Sequence, residues 1–186
     1  IYYFSPYIIL PFLFESHIVG YFGVSVRIVG LTNLFSVVIF SLLGPKFAKC
    51  FKKKNKKNLF YYLKVSQVFS LIVNFIFFVS IIVFKEYILK IFGDNFIYAE
   101  PLLVLFAGSR LVISFAGSSK DFLNMIYKEN SVAITYLICL LTLIIFSFIS
   151  YSTENIFYFF SCLAYLNCFK ELYFYYLLKK ELNVSG

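Results

Sequence analysis

LFYYLKVSQVFSLIVNFIFFVSIIVF, Leu59 to Phe84, is a run of 26 residues in which Lys64 is the one charged side chain. Crossing the hydrocarbon core of a bilayer takes about 20 apolar residues of helix. The run lacks the period-two alternation of a membrane strand, and it is long enough for a helix. Val and Ile favour strands in water. In lipid, however, every backbone amide needs a partner, and a helix supplies them all internally. The stretch therefore reads as a membrane-spanning helix.

Working outward, similar runs recur on both sides. IYYFSPYIILPFLF, ending near Phe14, is too short to span and reads as the end of a truncated helix. Glu15-Ser16-His17 makes a polar break, and a second run covers about 18–43, closing at Gly44-Pro45, where proline resists helix extension. The basic stretch KFAKCFKKKNKKN, Lys46 to Asn58, reads as a loop. After Phe84 comes the mixed segment KEYILKIFGDNFIYAEP. Further spans are expected at about 102–126, 131–150 and 156–178, with a polar tail at 179–186. The predicted fold class is all-α: a polytopic transmembrane helical bundle of about five full spans plus the partial first one. Starting in the middle of an apolar run, the chain reads as a fragment of something longer.

Composition agrees. The 186 residues are 61% hydrophobic and 14% charged, with a mean hydropathy of +0.86. Soluble domains are nearer 45–50% apolar and about 25% charged. The net charge of +8 is gathered between apolar runs, which suits topology better than nucleic-acid binding. If spans alternate, the loops at 46–58, 127–130 and 179–186 share a side and hold Lys46, Lys49, Lys52, Lys53, Lys54, Lys56, Lys57, Lys128, Lys179 and Lys180. The opposite loops, at 15–17, 85–101 and 151–155, hold Lys85 and Lys90 against Glu15, Glu86, Asp94, Glu100 and Glu154. Lysine-rich loops stay cytoplasmic. The loop 46–58 and the carboxy terminus are thus expected inside.

Polar residues within spans are the candidate functional positions, because a charge near the bilayer centre costs at least about 2.5–3.5 kcal/mol. Arg27 and Arg110 lie deep in their runs. Gly117-Ser118-Ser119-Lys120-Asp121 forms a polar belt with Asn124 one turn beyond, and Gln67, Ser70 and Asn74 recur at helical spacing. The expected substrate-binding set is Arg27, Arg110, Lys120, Asp121, Gln67 and Asn74, lining a polar cavity whose arginines would grip an anionic headgroup through their planar fork. The blander reading pairs Lys120 with Asp121 or Asn124. Asn167, Lys170 and Glu171 lie toward the end of the last run, where Lys170 and Glu171 read as an interfacial pair.

Catalytic readings find little to work with, and the expectation is a non-enzyme without metal or cofactor. His17 is the sole histidine and sits in a loop, which leaves no His-based zinc site or Ser-His pair. Asp94 and Asp121 are isolated on opposite sides, and no Gly-rich phosphate loop occurs. Cys50, Cys139, Cys162 and Cys168 show no metal spacing; Cys139 and Cys162 read as small buried hydrophobes.

Four stretches, in order, carry a resemblance. They are VGYFGVSVRIVGL (Val19 to Leu31), Gly44-Pro45-Lys46-Phe47-Ala48 before the basic segment, ILKIFGDNFIYAEPLLVLFAGS (Ile88 to Ser109) and LNMIYKEN (Leu123 to Asn130). Together they resemble the carboxy-terminal half of a polysaccharide flippase of the multidrug/oligosaccharidyl-lipid/polysaccharide (MOP) exporter superfamily, the O-antigen and teichoic-acid type. The likeness covers most of 10–135 and departs from the pattern at Gly23, Ser25 and Val26, where alanine is common. It implies one lobe of a two-bundle, alternating-access transporter in the bacterial cytoplasmic membrane. Such a transporter moves undecaprenyl-pyrophosphate-linked oligosaccharide for polysaccharide biosynthesis. The implied partners are that lipid-linked oligosaccharide, membrane lipids and an amino-terminal half; Arg27 and Arg110 would contact pyrophosphate or glycan. The alternatives are a cation-coupled drug exporter of the same superfamily, which would want acidic cavity residues, and a non-transporting module that assembles a glycan-synthesis complex.

Overall fold

The structure is a computed structural model that describes residues 2, 4–53, 55–153 and 155–184, the side chains of 56, 183 and 184 excepted. Lys54, Glu154 and the 185–186 end of the tail, read above as loop charges and tail, lie outside the described residues. So do Ile1 and Tyr3. The helices are α1 (Ser5–Leu13), α2 (Ser16–Gly30), α3 (Thr32–Lys52), α4 (Lys56–Lys90), α5 (Glu100–Ser114), α6 (Ser119–Met125), α7 (Glu129–Ser152) and α8 (Ile156–Val184). A 3-10 helix over Asp94–Ala99 leads into α5.

Among the described residues, four stretches are long and apolar enough to cross a membrane: Ser16–Lys52, Lys57–Lys90, Asp94–Ser114 and Glu129–Ser152. No more than 28% of each apolar window is buried within the chain. The remainder needs a non-aqueous environment, since a soluble surface rarely carries apolar patches on this scale. Phe12, Ile76 and Ile138 are typical of the outward-facing side chains. The protein is a membrane-embedded helical bundle. The fifth expected span is helical too, but α8 is interrupted by Asn167, Lys170 and Glu171 and falls outside the apolar four.

Beyond the run of α4 past Phe84 to Lys90, three boundaries differ from the sequence reading for reasons outside the local sequence. Pro45 does not end the second span: α3 runs through it to Lys52. An interior proline costs about 3 kcal/mol, and tertiary packing offsets it. Phe47 is fully buried and stacks on Phe122 at 4.0 Å, with the rings 5° from parallel. Gly44 admits Met125, whose Cε would lie 2.8 Å from any added Cβ. The expected loop 46–58 shrinks to a turn, and Asn55 caps α4 by accepting from the Asn58 N–H at 3.2 Å.

The expected span at 102–126 is broken. α5 stops at Ser114, Gly117 turns the chain at φ +58°, and α6 restarts at Ser119. Gln67 on α4 donates from Nε2 to the Phe115 carbonyl at 2.6 Å, replacing a bond the helix has lost. A Cβ at Gly117 would come within 2.8 Å of Ser66 Oγ and 3.1 Å of the Gln67 backbone nitrogen. Glycine is needed here both for its left-handed conformation and for the close approach of α4.

The tail 179–184 is not a free end but the last turns of α8. Leu178 and Leu182, one turn apart, are fully buried, and Lys128 bonds Glu181 at 3.0 Å.

Two apolar cores stack along the bundle. One gathers α1, α2, α5, the far half of α4 and the first half of α8 around Phe22, Leu103, Phe106 and Phe159. The other gathers the ends of α3 and α8, the start of α4, and α6 around Phe47, Phe122, Phe174 and Leu178. The second core brings the lysine-bearing segments 46–53, 57–64, 126–128 and 178–182 to one end. At the other end, Phe96 packs beneath Gly20 and Tyr21, and Lys85 pairs with Glu100 at 2.5 Å. The charge asymmetry read from the loops is thus an asymmetry between two ends of one bundle.

Candidate functional site

Between the two cores lies a polar cavity of about 110 Å³ lined by α1, α2, α5 and α8. Its apolar walls come from Phe22, Val26 and Val29 on α2 and Phe106 and Ile113 on α5. Its polar groups are Tyr7, Ser109, Arg110, Asn167, Lys170 and Glu171, with Tyr2 beside them.

Lys170 is the centre of this group. It is 1% exposed, one of the largest fully buried side chains in the protein. Leu163 and Leu166 of the first core precede it on α8, and Phe174 of the second follows, so it cannot reach water by extending along the helix. The ammonium is held in other ways. Nζ donates to Asn167 Oδ1 at 2.9 Å and lies 3.6 Å from Glu171 Oε1. The rings of Tyr2 and Tyr136 face it at 4.7 and 5.0 Å. A desolvated cation over an aromatic face gains about 2 kcal/mol. Two such rings are comparable with the roughly 2.5–3.5 kcal/mol that a lysine costs at the centre of a membrane helix. Tyr2 also donates its hydroxyl to Asn167 Oδ1 at 3.4 Å, tying the approach to α1 onto α8.

Arg110 enters the same cavity from α5. Its NH1 donates to Asn33 Oδ1 at 2.9 Å, bracing α5 against the first turn of α3. Cys168 Sγ meets the Ser109 carbonyl at 3.5 Å and closes the seam between α5 and α8 on the far side of the cavity. The result is a small chamber with two cations, one carboxylate and several hydroxyl and amide groups. It is suited to an anionic or hydrogen-bonding ligand.

Of the six residues expected to line one cavity, the structure brings Arg110 alone to it. Arg27 is on the exposed side of α2, next to the cavity-lining Val26. Gln67 braces the α5–α6 break. Asn74 is buried within α4, where it donates to the Ser70 carbonyl at 2.8 Å while its Oδ1 has no partner. Lys120 and Asp121 pair with each other at 3.5 Å on α6, each about one-third exposed. Lys170 and Glu171, expected as an interfacial pair, instead join Asn167 at the heart of the chamber. The cue was available, because Lys170 lies between buried leucines and a buried phenylalanine at core spacing. Ser25 Oγ is a further buried polar atom without a partner.

No known protein family matches this chain, and no curated protein and no solved structure matches it.

Proposed function

We propose that this chain is the carboxy-terminal lobe of a MOP-type polysaccharide flippase in a bacterial cytoplasmic membrane, passing undecaprenyl-pyrophosphate-linked oligosaccharide between leaflets. The observation that carries the reading is the pairing of buried Lys170 with Arg110 in one chamber inside a membrane bundle. Intramembrane cations are costly, and they mark substrate or ion pathways when they face an interior cavity. The family in this reading rests on the resemblance of the four motif stretches. In this reading the lysine-rich end is cytoplasmic, a second lobe completes the cavity, and no catalytic step is involved.

A cation-coupled exporter of the same superfamily is the second reading, favoured by Glu171 in the chamber wall. Its carboxylate already faces Lys170, however, and the two cations outnumber it, so the chamber favours anions.

The test is the double variant Arg110→Gln, Lys170→Gln in the intact transporter. Surface glycan should disappear while membrane-inserted protein persists at its normal level. Normal glycan export by that variant would sink the proposal. Loss of export of a cationic dye, with glycan unaffected, would move the assignment to the second reading.

A further inference from the structure

Two lysines mark the edges of the membrane on α4. Lys64 and Lys85 bound a stretch, Val65 to Phe84, that carries no charged side chain. They are 21 residues apart, which at 1.5 Å per residue is about 32 Å of helix. The hydrocarbon of a bilayer is roughly 30 Å thick. Each lysine therefore sits where hydrocarbon gives way to phosphate, Lys64 at the lysine-rich end of the bundle and Lys85 at the other. They differ in one respect. Lys85 is neutralised by Glu100, whereas Lys64 is exposed and forms no ion pair among the described residues.

A second cation shares that depth. Lys46 precedes Asn55 by nine residues and Lys64 follows it by nine, and the turn there lays α3 back against α4. Lys46 is also exposed and forms no ion pair among the described residues.

Lys64 is the polar end of a shallow concavity on the outward face of α4, formed with Tyr61, Val65, Val68, Phe69 and Ile72. Their spacing of three and four keeps them on one face. From Lys64 to Ile72 the concavity descends about 12 Å, within the roughly 15 Å of a single leaflet. Helical side chains lean toward the amino end, which on α4 is the lysine-rich end. The Lys64 ammonium thus extends to the phosphates, beside the interfacial Tyr61, with the apolar side chains below it. A soluble anion would satisfy the lysine alone, and an apolar helix would cover the lower residues alone. An amphiphile with a phosphate head covers both. A zwitterionic head brings its own ammonium to the level of Lys64 and Lys46, which repel it; a net-negative head does not.

We infer that this face of α4 is a binding site for an anionic phospholipid of the leaflet at the lysine-rich end. Its phosphate sits at Lys64, with Lys46 at the same depth, and one acyl chain lies along Val68, Phe69 and Ile72. The site requires membrane residence alone and is independent of the transport reading.

The experiment places the purified full chain in phosphatidylcholine nanodiscs containing a trace of photoactivatable lipid, either phosphatidylglycerol or phosphatidylcholine with the same acyl chain. Crosslinked residues are then located by peptide mass spectrometry. Phosphatidylglycerol should label 65–72 about five-fold more than phosphatidylcholine, the selectivity that one lysine at headgroup level supplies. Lys64→Gln should remove that preference, Lys64→Arg should keep it, and Lys179→Gln, at an exposed lysine of the same end on α8, should leave it in place. Inorganic phosphate at constant ionic strength should not compete. Equal labelling by the two lipids would overturn the inference, and competition by phosphate would make the site one for the free anion instead. Equal loss of preference in Lys179→Gln and Lys64→Gln would also overturn it, because the preference would then belong to the whole basic end. So would protection of 65–72 from both lipids, the sign of a partner helix on this face.

Discussion

Lys170 and Gly117 show how much a single side chain, or its absence, can decide here. The ammonium of Lys170 is tolerated because Glu171, Asn167 and two tyrosine rings surround it, and that dependence can be measured. Glu171→Gln removes the facing carboxylate, 3.6 Å away, and should lower stability by about 1.5–3 kcal/mol, the range for a hydrogen bond to a charged group. The double variant Lys170→Met, Glu171→Leu discards both charges along with their desolvation cost and should be neutral or stabilising, since apolar replacement of a whole buried pair often is. Thermal unfolding in detergent, followed by circular dichroism, compares the two; equal losses would mean that the carboxylate is not what holds the lysine. Gly117→Ala meets both a left-handed φ and the approaching α4 backbone. It should cost about 1–3 kcal/mol, whereas Gly23→Ala, with nothing within 4 Å of the added atom, should be mild in the same assay.

At the scale of the element, the informative cases are α3, which continues where a break was expected, and α5–α6, which breaks where continuity was expected. In the first, a proline is overruled by Phe47 on the Phe122 ring. Phe47→Ala should cost about 3–5 kcal/mol and should speed hydrogen exchange at 46–52 well before the rest of α3. Uniform exchange along α3 would mean that the helix end does not rely on that stack. In the second, the freed Phe115 carbonyl depends on the side chain of Gln67. Gln67→Leu should cost about 1–3 kcal/mol through that unsatisfied acceptor, and exchange should rise at 115–118. Gln67 was visible in the sequence as a polar residue on the Ser70–Asn74 face. Its task was not, because the carbonyl it serves lies 48 positions away.

For the whole molecule the lesson concerns polarity along the bundle axis. The second core and the Lys128–Glu181 bond gather the basic segments, while Lys85, Glu86, Asp94 and Glu100 occupy the opposite end. With the native cysteines replaced, single cysteines at Lys53 and Lys180 should react with a membrane-impermeant maleimide from one side of the membrane only. A cysteine at Asp94 should react only from the other. Labelling of Lys53 and Lys180 positions from opposite sides would break the topology. The helical character and the sorting of charge were legible at this scale. The candidate chamber is legible only in part: Arg110 stands out by its depth, whereas Lys170 reads as interfacial and is buried, and Arg27 reads as interior and is exposed on this bundle. Depth along a helix can be counted from its ends. Rotation about its axis is set by the neighbours it meets.

What the sequence by itself determined is membrane residence, an almost wholly helical chain and the segregation of positive charge. Each follows from sums over local stretches, the transfer of apolar residues into lipid and the demand that every amide be paired within its own segment. What only the tertiary structure decided is where helices continue or break and which polar residues converge. Pro45, Gly117 and Lys170 each sit against a local preference. Contacts with Phe122, Gln67 and the Tyr2–Tyr136 rings, all distant in sequence from the residues they hold, tip the balance, because a few kcal/mol of packing is enough to outweigh a local cost of the same size.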